Sequence, residues 1–250
     1  GESVDQARVT MKYKKKLRLL VTNRCSRNCP YCHNEGMPRR PFAHLAPEKL
    51  APFLPEIRQY TSRAVLSGGE PFEYERLPEL VELLSGYGFD LSMISANIGW
   101  EALSRVAYGL KNLHYSLHGM DSLEAGGRVL RRLNSEYPNL RLSVNVPFDS
   151  PGPVIEHWEG LYSLARETGA NLQLIRIFSA AAGQPPSASW DGRWREMREF
   201  LAPRARFLEA TEREARYLTG DQIKIDLLDI PCRSSGPDFG EGACLYNSDL

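Results

Sequence analysis

Residues 17–32 read Leu17-Arg18-Leu19-Leu20-Val21-Thr22-Asn23-Arg24-Cys25-Ser26-Arg27-Asn28-Cys29-Pro30-Tyr31-Cys32. The apolar run Leu17–Val21 predicts a short buried strand. Three cysteines, spaced C-x3-C-x2-C, follow it directly on a loop. Three thiolates in so short a segment can each ligate one iron of a cubane cluster, whose full ligation by protein takes four cysteines. One iron is then open to a small molecule, as a catalytic zinc keeps one position open. The competing reading is a zinc knuckle that borrows a fourth ligand such as His33. The two other cysteines, Cys232 and Cys244, bring the count to five. An odd count with three crowded together fits a disulfide framework poorly.

Outward from this loop, strand and helix signals alternate. Pro47–Tyr60 carries Leu50, Phe53, Leu54 and Ile57 at helical spacing, interrupted by Pro52 and Pro55. Ala64–Leu66 reads as a strand and Leu77–Gly86 as a helix ending at glycine. Asp90–Ser95, Leu113–Leu117, Leu140–Val146 and Leu172–Phe178 read as further strands. Helices are expected over Trp100–Leu110, Leu123–Tyr137 and Val154–Thr168, the last with Ile155, Trp158, Leu161, Tyr162 and Ala165 on one face. Six strand–helix steps predict an α/β fold, a parallel sheet with right-handed crossovers. Six units fall short of a closed eight-stranded barrel, so a partial (β/α)6 barrel is expected over residues 1–180. Ser179–Ser189 is rich in Ala, Gly, Pro and Ser and marks a boundary. A C-terminal appendage over 181–250 is expected to hold a helix at Trp190–Leu201, a strand at Ile223–Ile230 and a loop containing Cys232 and Cys244.

Ser67-Gly68-Gly69-Glu70-Pro71 follows the second expected strand. Glycines let backbone approach a ligand closely, and a carboxylate suits an ammonium group. The other reading is an ordinary turn.

The cysteine loop and this Gly-Gly-Glu-Pro turn, at the ends of the first and second strands, together resemble the radical S-adenosylmethionine superfamily, and their pairing favours a cluster over zinc. Tyr31 stands at the aromatic position before the last cysteine. Cys-His-Asn-Glu-Gly over 32–36 is similar to the branch of the molybdenum-cofactor GTP cyclases; glycyl-radical activating enzymes also show Cys-His-Asn. The resemblance implies a [4Fe–4S] cluster on Cys25, Cys29 and Cys32 and S-adenosylmethionine as cofactor. It implies reductive cleavage to a 5′-deoxyadenosyl radical, hydrogen abstraction from an organic substrate, and an external electron donor such as flavodoxin or ferredoxin. For cofactor binding it implies Tyr31, Gly68, Gly69, Glu70 and Pro71, with Ser95, Asn97, Ser116 and Asn145 at strand ends. Ser95-Ala96-Asn97 and Ser116-Leu117-His118-Gly119 match the family's strand-end patterns in part; Ile98 replaces a glycine and His118 an acid. Many relatives carry auxiliary clusters on a C-terminal extension. Cys232 and Cys244 are therefore candidates for a second iron–sulfur cluster or, equally, two unrelated structural cysteines.

Lys+Arg and Asp+Glu both count 31, giving zero formal net charge, which offers no reason to invoke nucleic acid or an acidic membrane surface. The basic run Lys12, Lys14, Lys15, Lys16 and Arg18 reads as a solvated strand edge. No apolar run reaches the roughly 18 residues of a membrane span, and no signal peptide is visible; a cytoplasmic protein is expected. A small-molecule substrate (nucleotide, sugar or natural-product precursor) is expected ahead of a peptide, because no peptide-binding domain precedes the barrel. Peptide modification, including glycyl-radical activation, and a non-catalytic iron–sulfur protein are the alternatives.

Overall fold

The computed structural model describes residues 16–27, 29, 43–96, 99–148, 150–176, 189–210 and 214–228. Six strands run parallel in sequence order: β1 (Leu17–Thr22), β2 (Arg63–Gly68), β3 (Asp90–Ser95), β4 (Leu110–Ser116), β5 (Arg141–Phe148) and β6 (Asn171–Arg176). Three more follow, β7 (Arg206–Ala210), β8 (Glu214–Leu218) and β9 (Lys224–Leu228). Strand β9 joins β6 in parallel, and β8 and β7 continue outward antiparallel, for a sheet order β1-β2-β3-β4-β5-β6-β9-β8-β7. The two end strands, β1 and β7, do not pair, so the barrel is open and the expected partial barrel is what forms. The expected boundary near residue 180, and the loop with Cys232 and Cys244, lie outside the described residues.

Side chains alternate across each strand. On β5 Leu142, Val144, Val146 and Phe148 are buried in one core with helix residues such as Leu130, Leu133 and Leu161. Arg141, Ser143 and Asn145 therefore point to the other, inner face. The helices covering the outer face follow from spacing. In α3 (Leu77–Gly86) Leu77, Leu80, Val81 and Leu84 are buried, one stripe of a 3.6-residue period. In α7 (Trp158–Thr168) Trp158, Leu161, Leu164, Ala165 and Thr168 are buried, and Gly169 at φ 65° closes the helix in the left-handed region.

Where the structure departs from the sequence reading, local chemistry explains most of it. The first helical stretch splits into α1 (Pro47–Leu50), a 3-10 turn and α2 (Leu54–Tyr60), because Pro52 and Pro55 withhold backbone donors. Helix α4 stops early (Trp100–Ser104), and β4 begins at Leu110 to pair with Leu91. Gly109, between them, lies where a Cβ would stand 2.4 Å from Val81. Helix α5 spans Leu123–Glu136, α6 Pro151–Glu156 and α8 Ser189–Leu201. The single helix expected over 154–168 breaks at His157, whose ring approaches the Pro153 carbonyl at 3.0 Å. Among the described residues no helix is long and apolar enough to cross a membrane.

Candidate active site at the strand ends

The chain leaves β1 through Asn23 and Arg24 into the cysteine loop and returns at Ala43. This exit is closed at its base by four contacts. Asn23 N donates to Ala43 O (3.1 Å) and Ala43 N to Asn23 Oδ1 (2.8 Å). Leu45 N donates to Val21 O (2.9 Å), and Thr22 Oγ1 pairs with His44 Nδ1 at 2.9 Å. The loop is thereby held at the carboxyl end of the sheet, where parallel barrels place ligands.

The Gly68-Gly69-Glu70-Pro71 turn packs on that exit through its backbone. Gly69 N donates to Thr22 O (2.6 Å) and Glu70 N to Arg24 O (2.9 Å). A Cβ on Gly68 would lie 2.4 Å from Thr22 O, and one on Gly69 2.0 Å from Arg24 O. Gly68 also sits at φ 127°, where side-chain-bearing residues are strained. The glycines thus have a role the sequence did not suggest: they let the turn close on the backbone that carries Cys25. Glu73, two residues past Pro71, adds a further anchor. Its Oε1 accepts from Ser26 N (2.7 Å), and its Oε2 stands 3.5 Å from Arg24 Nε.

Glu70 is buried, and both of its oxygens are engaged. Oε1 accepts from Ser95 Oγ (2.7 Å) and Phe72 N (3.2 Å), and Oε2 from Ala96 N (2.9 Å). The carboxylate therefore ties the turn after β2 to the end of β3, bringing together Glu70 and Ser95, which the sequence offered as separate candidates. Burial raises the Glu70 carboxyl above the ordinary carboxylate range, against the lowering pull of Ser95, Ala96 and Phe72. A raised folded value means stability from this group is fully present below the ordinary value of 4.5 and is lost as pH rises through the folded value. Glu70→Gln cannot titrate. In thermal melts from about pH 4 to about pH 8, the stability of wild type relative to Glu70→Gln is expected to fall as pH rises. A difference that stays constant across the range would contradict a titrating buried carboxyl.

Cys25 and Cys29 are partly buried thiols outside any disulfide. Cys29 Sγ lies 3.7 Å from His118 Nδ1, a contact that the motif reading missed because His118 stands at an acid's place in the family pattern. Burial first, then the positive charge of Arg27, pull the His118 imidazole down to about 4, so it is neutral at pH 7. Two residues before it, Ser116 ends β4 directly beside Asn145 of β5, and Leu117 N donates to Asn145 O at 2.8 Å. The inner-face pair Ser116–Asn145 thus stands at the strand end from which the chain runs on to His118 and its contact with Cys29. Asn145 is buried, and its Oδ1 has no hydrogen-bond partner among the described residues. Cys32, Tyr31 and Asn97 lie outside the described residues.

A family model described as "Radical SAM superfamily" matches residues 19–142. A probable GTP 3′,8-cyclase of Thermococcus kodakarensis is 28% identical over 175 residues, 64% of this chain and 56% of that protein. One from Halobacterium salinarum is 26% identical over 246 residues, 90% of this chain and 67% of that protein. The chain therefore spans little more than half the length of several curated relatives it matches. Among solved structures, Streptococcus suis SuiB bound to S-adenosylmethionine superposes with a TM-score of 0.59 at 13% identity, over 75% of this chain and 48% of that one. That likeness is one of fold. The stretch matched by the family model begins in β1, runs through the cysteine loop and the glycine turn, and ends in β5, so the segment that builds this site is also the one that makes the chain a member of the radical SAM superfamily.

Proposed function

We propose that this chain binds a [4Fe–4S] cluster and S-adenosylmethionine and uses them in a radical reaction on a nucleotide. Membership of the superfamily implies the two cofactors. When bound, they supply a carbon-centred radical that removes a hydrogen atom from substrate. The observation that carries the reading is the closure of the Gly68–Glu70 turn on Thr22 and Arg24, which brings a ligand-binding turn against the cysteine loop. The described residues suit both groups: two partly buried thiols, a half-buried glycine turn, and a buried acceptor oxygen with no donor among the described residues.

Cys25, Cys29 and Cys32 hold the cluster in this reading. Gly68, Gly69 and Pro71 shape the turn that takes the methionine amino group, and Glu70 with Ser95 keeps that turn rigid. Ser116 and Asn145 face the ribose, Asn145 Oδ1 accepting from its hydroxyls, with Tyr31 and Asn97 completing the contacts. His118, neutral, lies against Cys29 and shields it from water. An external one-electron donor of the flavodoxin or ferredoxin kind serves the cluster. Residues 181–250 form an extension in which Cys232 and Cys244 ligate part of a second cluster. Iron counting on the Cys232→Ala, Cys244→Ala double variant tests that part, and iron equal to wild type would end it.

The nucleotide is supported by the names of the relatives, probable GTP 3′,8-cyclases. Reduced, reconstituted protein is expected to carry deuterium from ribose-labelled GTP into 5′-deoxyadenosine. Cleavage of S-adenosylmethionine without label transfer would reject GTP and leave the cofactor assignment standing.

A further inference from the structure

The inner face of the sheet carries a row of polar residues of which the proposed cofactor contacts account for Asn145 alone. Register pairs Asn145 of β5 with Gln173 of β6, Gln173 with Asp226 of β9, and Asp226 with Arg216 of β8. Directly paired residues point the same way, so these side chains share the face opposite Leu172, Leu174, Ile225 and Leu227, which are buried in the core. Asn145 and Gln173 are each 8% exposed and Asp226 3%. Buried polar atoms are nearly always hydrogen-bonded. Yet Asn145 Oδ1 and Asp226 Oδ1, two strands apart in one row, have no hydrogen-bond partner among the described residues.

We infer that Asp226 and Gln173 form a substrate-recognition wall, which takes an uncharged N–H or O–H donor group of the substrate. This rests on the radical-enzyme reading above and names the substrate side of that same site. Both orphaned atoms are acceptors, so what is missing at each is a donor. Strands lie about 4.8 Å apart, which puts the two oxygens roughly 10 Å from one another. One ligand group reaches Asn145, on the cofactor side, and a second reaches Asp226. Gln173 lies between them with its Oε1 3.3 Å from His114 Nδ1, a contact that fixes the amide's orientation.

The charges around Asp226 set the chemistry it accepts. Asp226 Oδ2 is 3.1 Å from Lys224 Nζ, and Arg216 Nε stands 3.8 Å from Oδ1, beyond hydrogen-bond range. Arg216 is drawn away instead by Glu214 (2.6 Å) and Glu209 (2.5 Å). Three carboxylates thus meet two cations, a net negative patch that repels phosphate or carboxylate groups. A hydroxyl or a ring N–H donates to Oδ1 without adding charge.

Inosine is a neutral probe bearing both kinds of donor. Equilibrium dialysis of full-chain, reconstituted protein with S-adenosylmethionine bound is expected to show inosine binding that weakens at least tenfold in Asp226→Asn. S-adenosylmethionine affinity should be the same in both proteins. If Asp226→Asn loses S-adenosylmethionine binding through misfolding, Gln173→Leu carries the same expectation. Weaker binding of 1-methylinosine identifies the ring N–H as the donor, and weaker binding of 2′,3′-dideoxyinosine the hydroxyls. The wall is refuted if wild type does not bind inosine, if the variants bind it as tightly as wild type, or if both analogues bind as well as inosine. None of these results touches the cofactor assignment, which fails only with loss of S-adenosylmethionine binding or cleavage by wild type.

Discussion

Anaerobically reconstituted protein carrying Cys25→Ala, Cys29→Ala and Cys32→Ala together is expected to hold no more than background iron and sulfide at the barrel site. In the proposed reading three thiolates are the barrel's whole contribution to a cubane whose fourth iron is left for a ligand. Losing one leaves two, too few to fix the cluster against exchange, so each single variant is expected to lose most of its iron as well. The fold should survive. Cys25 and Cys29 are only partly buried and lie outside the apolar core, and thermal melting of the triple variant should stay close to that of the apoprotein. Iron and sulfide analysis beside the visible absorption spectrum checks this, using protein that also lacks Cys232 and Cys244 so that no second cluster contributes. Wild-type iron content in the triple variant would place the cluster elsewhere.

Gly69→Ala is expected to be the most damaging single substitution outside the cysteines. The new methyl would stand 2.0 Å from Arg24 O and 2.6 Å from Arg24 C, both backbone atoms that cannot swing aside as a side-chain tip can. Relief requires breaking the bonds from Gly69 N to Thr22 O and from Glu70 N to Arg24 O. A cost of about 3–5 kcal/mol is reasonable for a substitution that shifts backbone in this way. For a chain of this size that is a fall of roughly 10 °C in melting temperature. The shift would also displace Arg24, next to Cys25, so iron uptake should drop with stability. Gly86→Ala is the contrast. Nothing lies within 4 Å of its Cβ position, it ends helix α3, and alanine there should be neutral or slightly stabilising. Equal melting temperatures for Gly69→Ala and wild type would show that the turn does not close on the cysteine loop.

The six parallel strands were legible because each is a short apolar run followed by a helix-period stretch, and β3 spans Asp90–Ser95 in both reading and structure. Strands β7 and β8 were not legible. Arg206-Phe207-Leu208-Glu209-Ala210 and Glu214-Ala215-Arg216-Tyr217-Leu218 mix charged and apolar residues, so neither shows the apolar run by which the other strands were read, and strand preference depends on packing context. The site was legible where spacing carries chemistry, in the cysteine loop and the glycine turn. Contacts that depend on register were hidden. Glu73 against the cysteine loop, His118 beside Cys29, and the row from Asn145 to Asp226 join residues 28 to 89 positions apart only after the sheet forms. The reason Gly68 and Gly69 are glycines was legible only in part. The sequence suggested ligand approach, and the structure adds a packing requirement against Thr22 and Arg24.

Product analysis decides whether this barrel handles S-adenosylmethionine at a cluster held by Cys25, Cys29 and Cys32. Reconstituted wild type is reduced anaerobically with S-adenosylmethionine, and 5′-deoxyadenosine is quantified by chromatography and mass spectrometry. Wild type is expected to yield 5′-deoxyadenosine, and the triple cysteine variant none above background. Wild type that carries a full complement of iron and sulfide, is reduced, and still yields no 5′-deoxyadenosine would contradict that assignment.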